Sequence, residues 1–114
     1  MEIIETLNFH TTTAQVLFDL FCEDKNIDRV GIHVSYNLTC IEGVKAKGLY
    51  NIASGLITLD AAKGCTWATA CHELAHHYQE YIYDAKSHHD STFTASKKVV
   101  TRWFAKHGYL VRIS

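Results

Sequence analysis

Five consecutive residues, His72-Glu73-Leu74-Ala75-His76, carry the clearest chemistry in this chain of 114 residues. Residues four apart on a helix stack on one face, so both imidazoles of an H-E-x-x-H run reach a single ion. Glu73 lies one step round from His72 and reaches a water held by that ion. Zinc suits the donor set: it is borderline-soft, accepts nitrogen and oxygen ligands, and keeps one tetrahedral position for water. Water held in this way has a pKa of about 7, within the range of a carboxylate base. The run therefore points to metal-assisted hydrolysis, with His72 and His76 as ligands and Glu73 as the base.

Two imidazoles alone hold zinc poorly, and a third protein ligand is required. Five of the eight His fall within residues 72–89, and the candidates in and after the helix are His77, Glu80, Asp84, His88 and His89. His77 is about 100° round a helix from His76, on the far side from His72, and suits a packing or surface role. Glu80 lies one turn past His76 but would have to bend back. His88 and His89 lie where the chain leaves the helix and can turn back to the ion. His89 precedes Phe93 by four residues, so Phe93 can anchor a new helix to the core while His89 points at the metal. The spacing favours His89, with His88 and Glu80 as alternatives.

The elements that must position these residues follow from periodicity. A helix is expected over 12–25, opened by a Thr12/Gln15 capping box, with Val16, Leu17, Leu20 and Phe21 as its apolar face. Strands are expected over 29–36, with Val30, Ile32 and Val34 on one face, over 44–52, with Lys45 and Lys47 on one side, and over 56–60. A long helix over 65–84, capped by Thr66, puts Trp67, Ala70, Cys71, Leu74, Tyr78, Tyr81 and Ile82 in one arc, opposite the His and Glu. A last helix over 92–107, with Ser91 as cap, carries Phe93, Val99, Val100, Trp103 and Phe104; Gly108 stops it and 109–113 adds a short strand. The expected fold is α+β and a single domain over 1–114: an N-terminal helix, a small three-stranded sheet, antiparallel or mixed and mostly antiparallel, the motif helix and a C-terminal helix.

Composition agrees with a globular chain, at 47% hydrophobic and 20% charged residues, and excludes disordered and fibrous classes. No apolar run approaches the roughly 20 residues of a membrane span. The first residues lack the basic start and apolar stretch of a signal peptide. Cys22, Cys40, Cys65 and Cys71 form no C-x-x-C pair and suit reduced thiols in an intracellular, cytoplasmic protein. Charge is uneven: residues 1–85 carry five bases against eleven acids, residues 86–114 six bases against one acid. Lys98, Arg102 and Lys106 form a stripe that suits phosphates, or simply a solvated face that complements the helix dipole. Tyr36, Tyr50, Tyr83 and His33 are all available to steady a developing oxyanion, and spacing chooses none of them.

The H-E-x-x-H run, a loop, and then His89-Asp90-Ser91-Thr92-Phe93 together resemble the SprT-like and related minimal zincin metallopeptidases, whose pattern ends in H-G-x-x-F. The likeness spans roughly residues 10–108, although only the two short motifs are specific. It implies a zinc-dependent peptidase with one zinc per chain held by His72, His76 and His89, and with Glu73 as catalytic base. It implies a protein or peptide substrate laid along the strand at 44–51 by strand addition. Some relatives act on DNA-bound proteins, which adds weight to DNA, or a protein on it, as a partner of Lys98, Arg102 and Lys106. Asp90 departs from the family's Gly, and no cysteine-rich zinc ribbon follows. A stand-alone core of this kind is expected in bacterial or phage genomes, and a phage protein would act in the host cytoplasm. The alternatives are a non-catalytic binding or regulatory protein on the same fold, which would not need Glu73, and a DNA-associated accessory protein working through its last helix.

Overall fold

The computed structural model describes residues 2–3, 8–40, 43–84, 86 and 88–113. In chain order its elements are β1 (Glu2–Ile3), α1 (Thr11–Lys25), β2 (Gly31–Ser35), β3 (Gly48–Asn51), β4 (Leu56–Asp60), α2 (Trp67–Tyr83), α3 (Ser91–Lys106) and β5 (Tyr109–Leu110). The class is α+β, with three helices and a small three-stranded mixed sheet. No described helix is long and apolar enough to cross a membrane.

The buried face of α1 runs through Ala14, Phe18, Phe21 and Cys22, an i, i+4, i+7, i+8 stripe. Val16 and Leu20, expected inside, are 55% and 46% exposed. Gln15 does not close a capping box. Its amide reaches across to β2, donating to the Val30 carbonyl at 2.8 Å and accepting from the Ile32 N–H at 2.9 Å. A side-chain amide can thus finish the ladder at the start of a strand, and Gln15 ties helix to sheet.

The sheet order is β2-β4-β3. β4 runs parallel to β2, from Gly31↔Leu56 to Ser35↔Asp60, and antiparallel to β3, from Gly48↔Leu59 to Asn51↔Leu56. The sheet is therefore mixed, one of the two arrangements expected, with one of its two pairings parallel. The chain leaves β2, turns through β3 on the far side, and inserts β4 between them, which forces one parallel pair. β3 is left at an edge of this sheet. β1 carries too few residues to show any period, and pairs in parallel with β5.

Aromatic side chains from all three helices interlock beneath the sheet. Phe18 meets Phe104 at 6.3 Å between ring centroids, Phe21 meets Trp103 at 5.5 Å, and Trp67 meets Phe104 at 6.4 Å. These edge-on contacts are the preferred geometry for aromatic pairs. Thr66 caps α2, accepting from the Thr69 N–H at 3.1 Å. Tyr81 and Ile82, placed by period in the apolar arc, are exposed because the last turn of α2 overhangs the core. Asp90, not Ser91, caps α3, its carboxylate accepting from the N–H groups of Thr92 and Phe93. All four cysteines are free thiols.

The turn from β4 to α2 packs directly on the segment entering β3. The Asp60 N–H donates to the Lys47 carbonyl at 2.8 Å. A Cβ built on Gly64 would lie 1.8 Å from that same carbonyl oxygen. Backbone cannot yield as a side-chain tip does, so Gly64→Ala should lower the thermal midpoint by about 5 °C or more, as overpacking costs of about 1–3 kcal/mol imply. An unchanged melting temperature would show that the contact is not tight in solution.

Candidate metal centre

His72 and His76 project from successive turns of α2. The helix stops at Asp84, which takes the left-handed conformation at φ 50°, and the following chain returns to place His89 next to the Asp90 cap of α3. Three imidazoles meet there. The Nε2 atoms of His72 and His89 lie 3.1 Å apart, and those of His76 and His89 3.2 Å apart. Metal–nitrogen bonds of about 2.0–2.1 Å at tetrahedral angles set ligand nitrogens about 3.3 Å apart. One ligand atom from each of the three residues lies within 4.8 Å of the others, and the group is able to hold a metal ion.

Phe93 braces all three rings. It stacks on His76 at 4.2 Å with 20° between planes, and lies 4.8 Å from His72 and 4.9 Å from His89 between ring centroids. Its place one turn into α3 is what the His89–Phe93 spacing implies.

Gln79 does what no motif signals. It is fully buried, one turn beyond His76 on α2. Its Nε2 donates to the His88 carbonyl and the Thr92 Oγ1, both at 2.8 Å, and to the Asp90 Oδ1 at 3.2 Å. The His88 carbonyl can only accept, which fixes the amide orientation. The Gln79 Oε1 then faces the His76 Nδ1 at 2.9 Å, so that Nδ1 carries the proton and donates. This leaves the His76 Nε2 lone pair pointing at its neighbours, the arrangement a ligating imidazole needs. Burial pushes His76 down to about 4, so its ring is neutral near pH 7.

Glu73 is almost enclosed beside the three imidazoles, and burial pushes its carboxyl up to about 7. β3 presses on it. A Cβ on Gly48 would lie 2.9 Å from the Thr69 methyl and 3.3 Å from the Glu73 Oε2, so only glycine allows so close an approach. Between them runs a groove of about 230 Å³ lined by Gly48, Leu49, Tyr50, His72, Glu73, His76 and His89.

The other sequence candidates lie elsewhere. His88 contributes its backbone carbonyl to Gln79, and His88, Glu80 and Asp84 are not in the imidazole group. His77 is buried on another side of α2, where its Nε2 faces the Asp28 carbonyl at 2.6 Å and must donate. Its Nδ1 therefore accepts from the Tyr50 hydroxyl at 2.8 Å. Of the four oxyanion candidates, Tyr50 alone lines this groove, and its proton is directed toward His77. Tyr36 is 85% exposed, and His33 and Tyr83 are exposed outside the groove. Lys98, Arg102 and Lys106 are exposed on α3, and Lys97, Lys98 and Arg102 border a hollow of about 320 Å³.

Compared with known proteins, the chain matches no family model, no curated protein and no solved structure.

Replacing His72, His76 or His89 by Ala should each remove most bound metal, whereas His77→Ala and His88→Ala should retain it, measured as metal per chain after dialysis. Gln79→Leu conserves volume but frees the His76 ring and the loop. Metal affinity should fall about 10–100-fold in a chelator competition, the usual effect of losing a ligand's hydrogen-bond partner. An affinity within twofold of the original would remove Gln79 from this role.

Proposed function

We propose that this chain is a zinc-dependent metallopeptidase of the minimal zincin type, related to the SprT-like peptidases, that hydrolyses peptide bonds. The observation carrying this reading is the convergence of three Nε2 atoms beside a buried carboxylate, in a groove bordered by an edge strand. An all-imidazole set with tetrahedral spacing favours zinc over the oxygen-seeking calcium or magnesium. When bound, zinc acts as a Lewis acid that makes water acidic and draws charge from a carbonyl.

His72, His76 and His89 would hold the ion, with Gln79 keeping His76 in the ligating tautomer. β3 would align an extended substrate through backbone hydrogen bonds, as strand addition does. Glu73 takes a proton from the attacking water and passes it to the departing amine. Its place in the groove beside the three imidazoles puts this carboxyl within reach of both transfers. A site that only held metal for structure would have no use for this carboxylate, which favours catalysis over the non-catalytic alternative. The cationic hollow on α3 favours a second, separate contact with a polyanion such as DNA. Lys98→Glu with Arg102→Glu should abolish salt-sensitive DNA binding while leaving metal content unchanged; no binding by the unaltered chain at low salt would end that reading.

Glu73→Gln preserves size and hydrogen bonding to water but cannot accept its proton. Metal should stay near one per chain, while cleavage of unfolded casein falls by about 10²–10⁴-fold. A variant that kept both its metal and full activity would refute the mechanism.

A further inference from the structure

Two hollows lie beside β3, and a third lies at the segment that enters it. The one at the imidazole group shares Gly48, His72 and Glu73 with a second of about 200 Å³ that includes Lys47 and Thr69. Lys47 in turn borders a third, of about 390 Å³, whose lining includes Asn37, Leu38, Lys45, Asp60 and Lys63. Lys47 thus stands between the hollow next to the metal centre and a pocket lined by three lysines.

Their meeting is a product of the local fold. Lys45 and Lys47 lie two apart on the segment entering β3, and both line the pocket. That segment is held by the Thr39↔Lys45 bridge and by the Ala46 N–H donating to the Leu38 carbonyl at 3.0 Å. Lys63 comes from the turn after β4, where its N–H donates to the Asp60 Oδ2 at 3.0 Å. The one carboxylate in the lining is already engaged. Asp60 accepts from the N–H groups of Leu38, Ala62 and Lys63, and these bonds with the nearby Lys63 charge hold it below the usual carboxylate range, so it stays ionised and leaves the pocket a net surplus of two positive charges. Residues 1–85 contain only five bases against eleven acids, and three of the five line this pocket.

We propose that the pocket formed by Lys45, Lys47 and Lys63 is a specificity subsite for acidic side chains of the substrate, on the side of the scissile bond that lies toward Lys47. The proposal rests on the peptidase reading and names its substrate class. A chain laid along β3 advances about 3.3 Å per residue. It therefore brings residues a few positions from the metal centre within reach of the lysines. A peptide backbone is neutral, so within a chain the negative charge that lysines attract arrives on Asp or Glu side chains. β3 also offers a row of backbone donors and acceptors, which a peptide matches and a phosphodiester chain does not.

The test uses the metal-loaded Glu73→Gln chain and labelled peptides that differ only in a run of Glu, Gln or Lys, with binding read by fluorescence anisotropy. The Glu peptide should bind about tenfold more tightly than the Gln peptide, as a few exposed ion pairs imply, and the difference should shrink with salt. Lys45→Glu with Lys63→Glu should erase or reverse the preference, with metal content and melting temperature as folding controls; Lys45→Gln with Lys63→Gln serves if the charge reversal fails to fold. Cut sites of the unaltered chain in casein should be enriched in acidic residues on one side only. Equal binding of Glu and Gln peptides, or cleavage without acidic enrichment, would overturn the subsite and leave the peptidase reading standing. Lysine-dependent binding of the Glu peptide with no cleavage of any peptide would overturn the peptidase reading instead. Tighter lysine-dependent binding of duplex DNA than of the Glu peptide at equal salt would assign the pocket to nucleic acid.

Discussion

The amide of Gln79 sits where two parts of the chain must be held together. On one side it accepts from His76, and on the other it donates to the loop and cap that carry His89. A buried amide without partners costs about 1–3 kcal/mol for each unmet group, so the loop closes onto α2 or the amide is stranded. Closure brings His89 between His72 and His76 and seats Phe93 across the three rings. Asp90 belongs to the same arrangement. It caps α3 and accepts from Gln79, fixing the residue next to His89.

A second constraint comes from the sheet. Gly48 lets an edge strand approach the motif helix until its backbone lies against Thr69 and Glu73, and Gly64 lets the preceding turn settle on Lys47. Two residues without side chains thereby set the width of the groove. The resulting enclosure is electrostatic as well as steric. Removed from water, His76 stays neutral and Glu73 holds its proton more tightly than an exposed carboxyl does.

Much of this was legible in the sequence because periodicity and metal-ligand spacing are local. The helices and the strands β2 and β4 fall close to their expected places, the strands expected over 44–52 and 109–113 are confined to Gly48–Asn51 and Tyr109–Leu110, and His89 joins His72 and His76 as the Phe93 spacing implies. What escaped depends on contacts distant in sequence. Gln15 leaves its own helix to bond β2 and Gln79 bonds a loop, so neither acts through the pattern its neighbours suggest. Strand order escaped because β2 and β4 become neighbours only after β3 has passed to the far side. Tyr81 and Ile82 fit the apolar arc by angle but lie beyond the point where the core ends. The only sequence signal for Gln79 was its place one turn beyond His76; an amide is not a metal ligand, and ligand counting passes over it.

The proposed metal centre has three imidazoles and no other side chain as ligands. X-ray absorption at the zinc edge of the metal-loaded chain measures this directly. The spectrum should show three imidazole nitrogens and one oxygen at about 2.0–2.1 Å. A sulfur shell near about 2.3 Å, or a coordination sphere with fewer than three imidazoles, would contradict it.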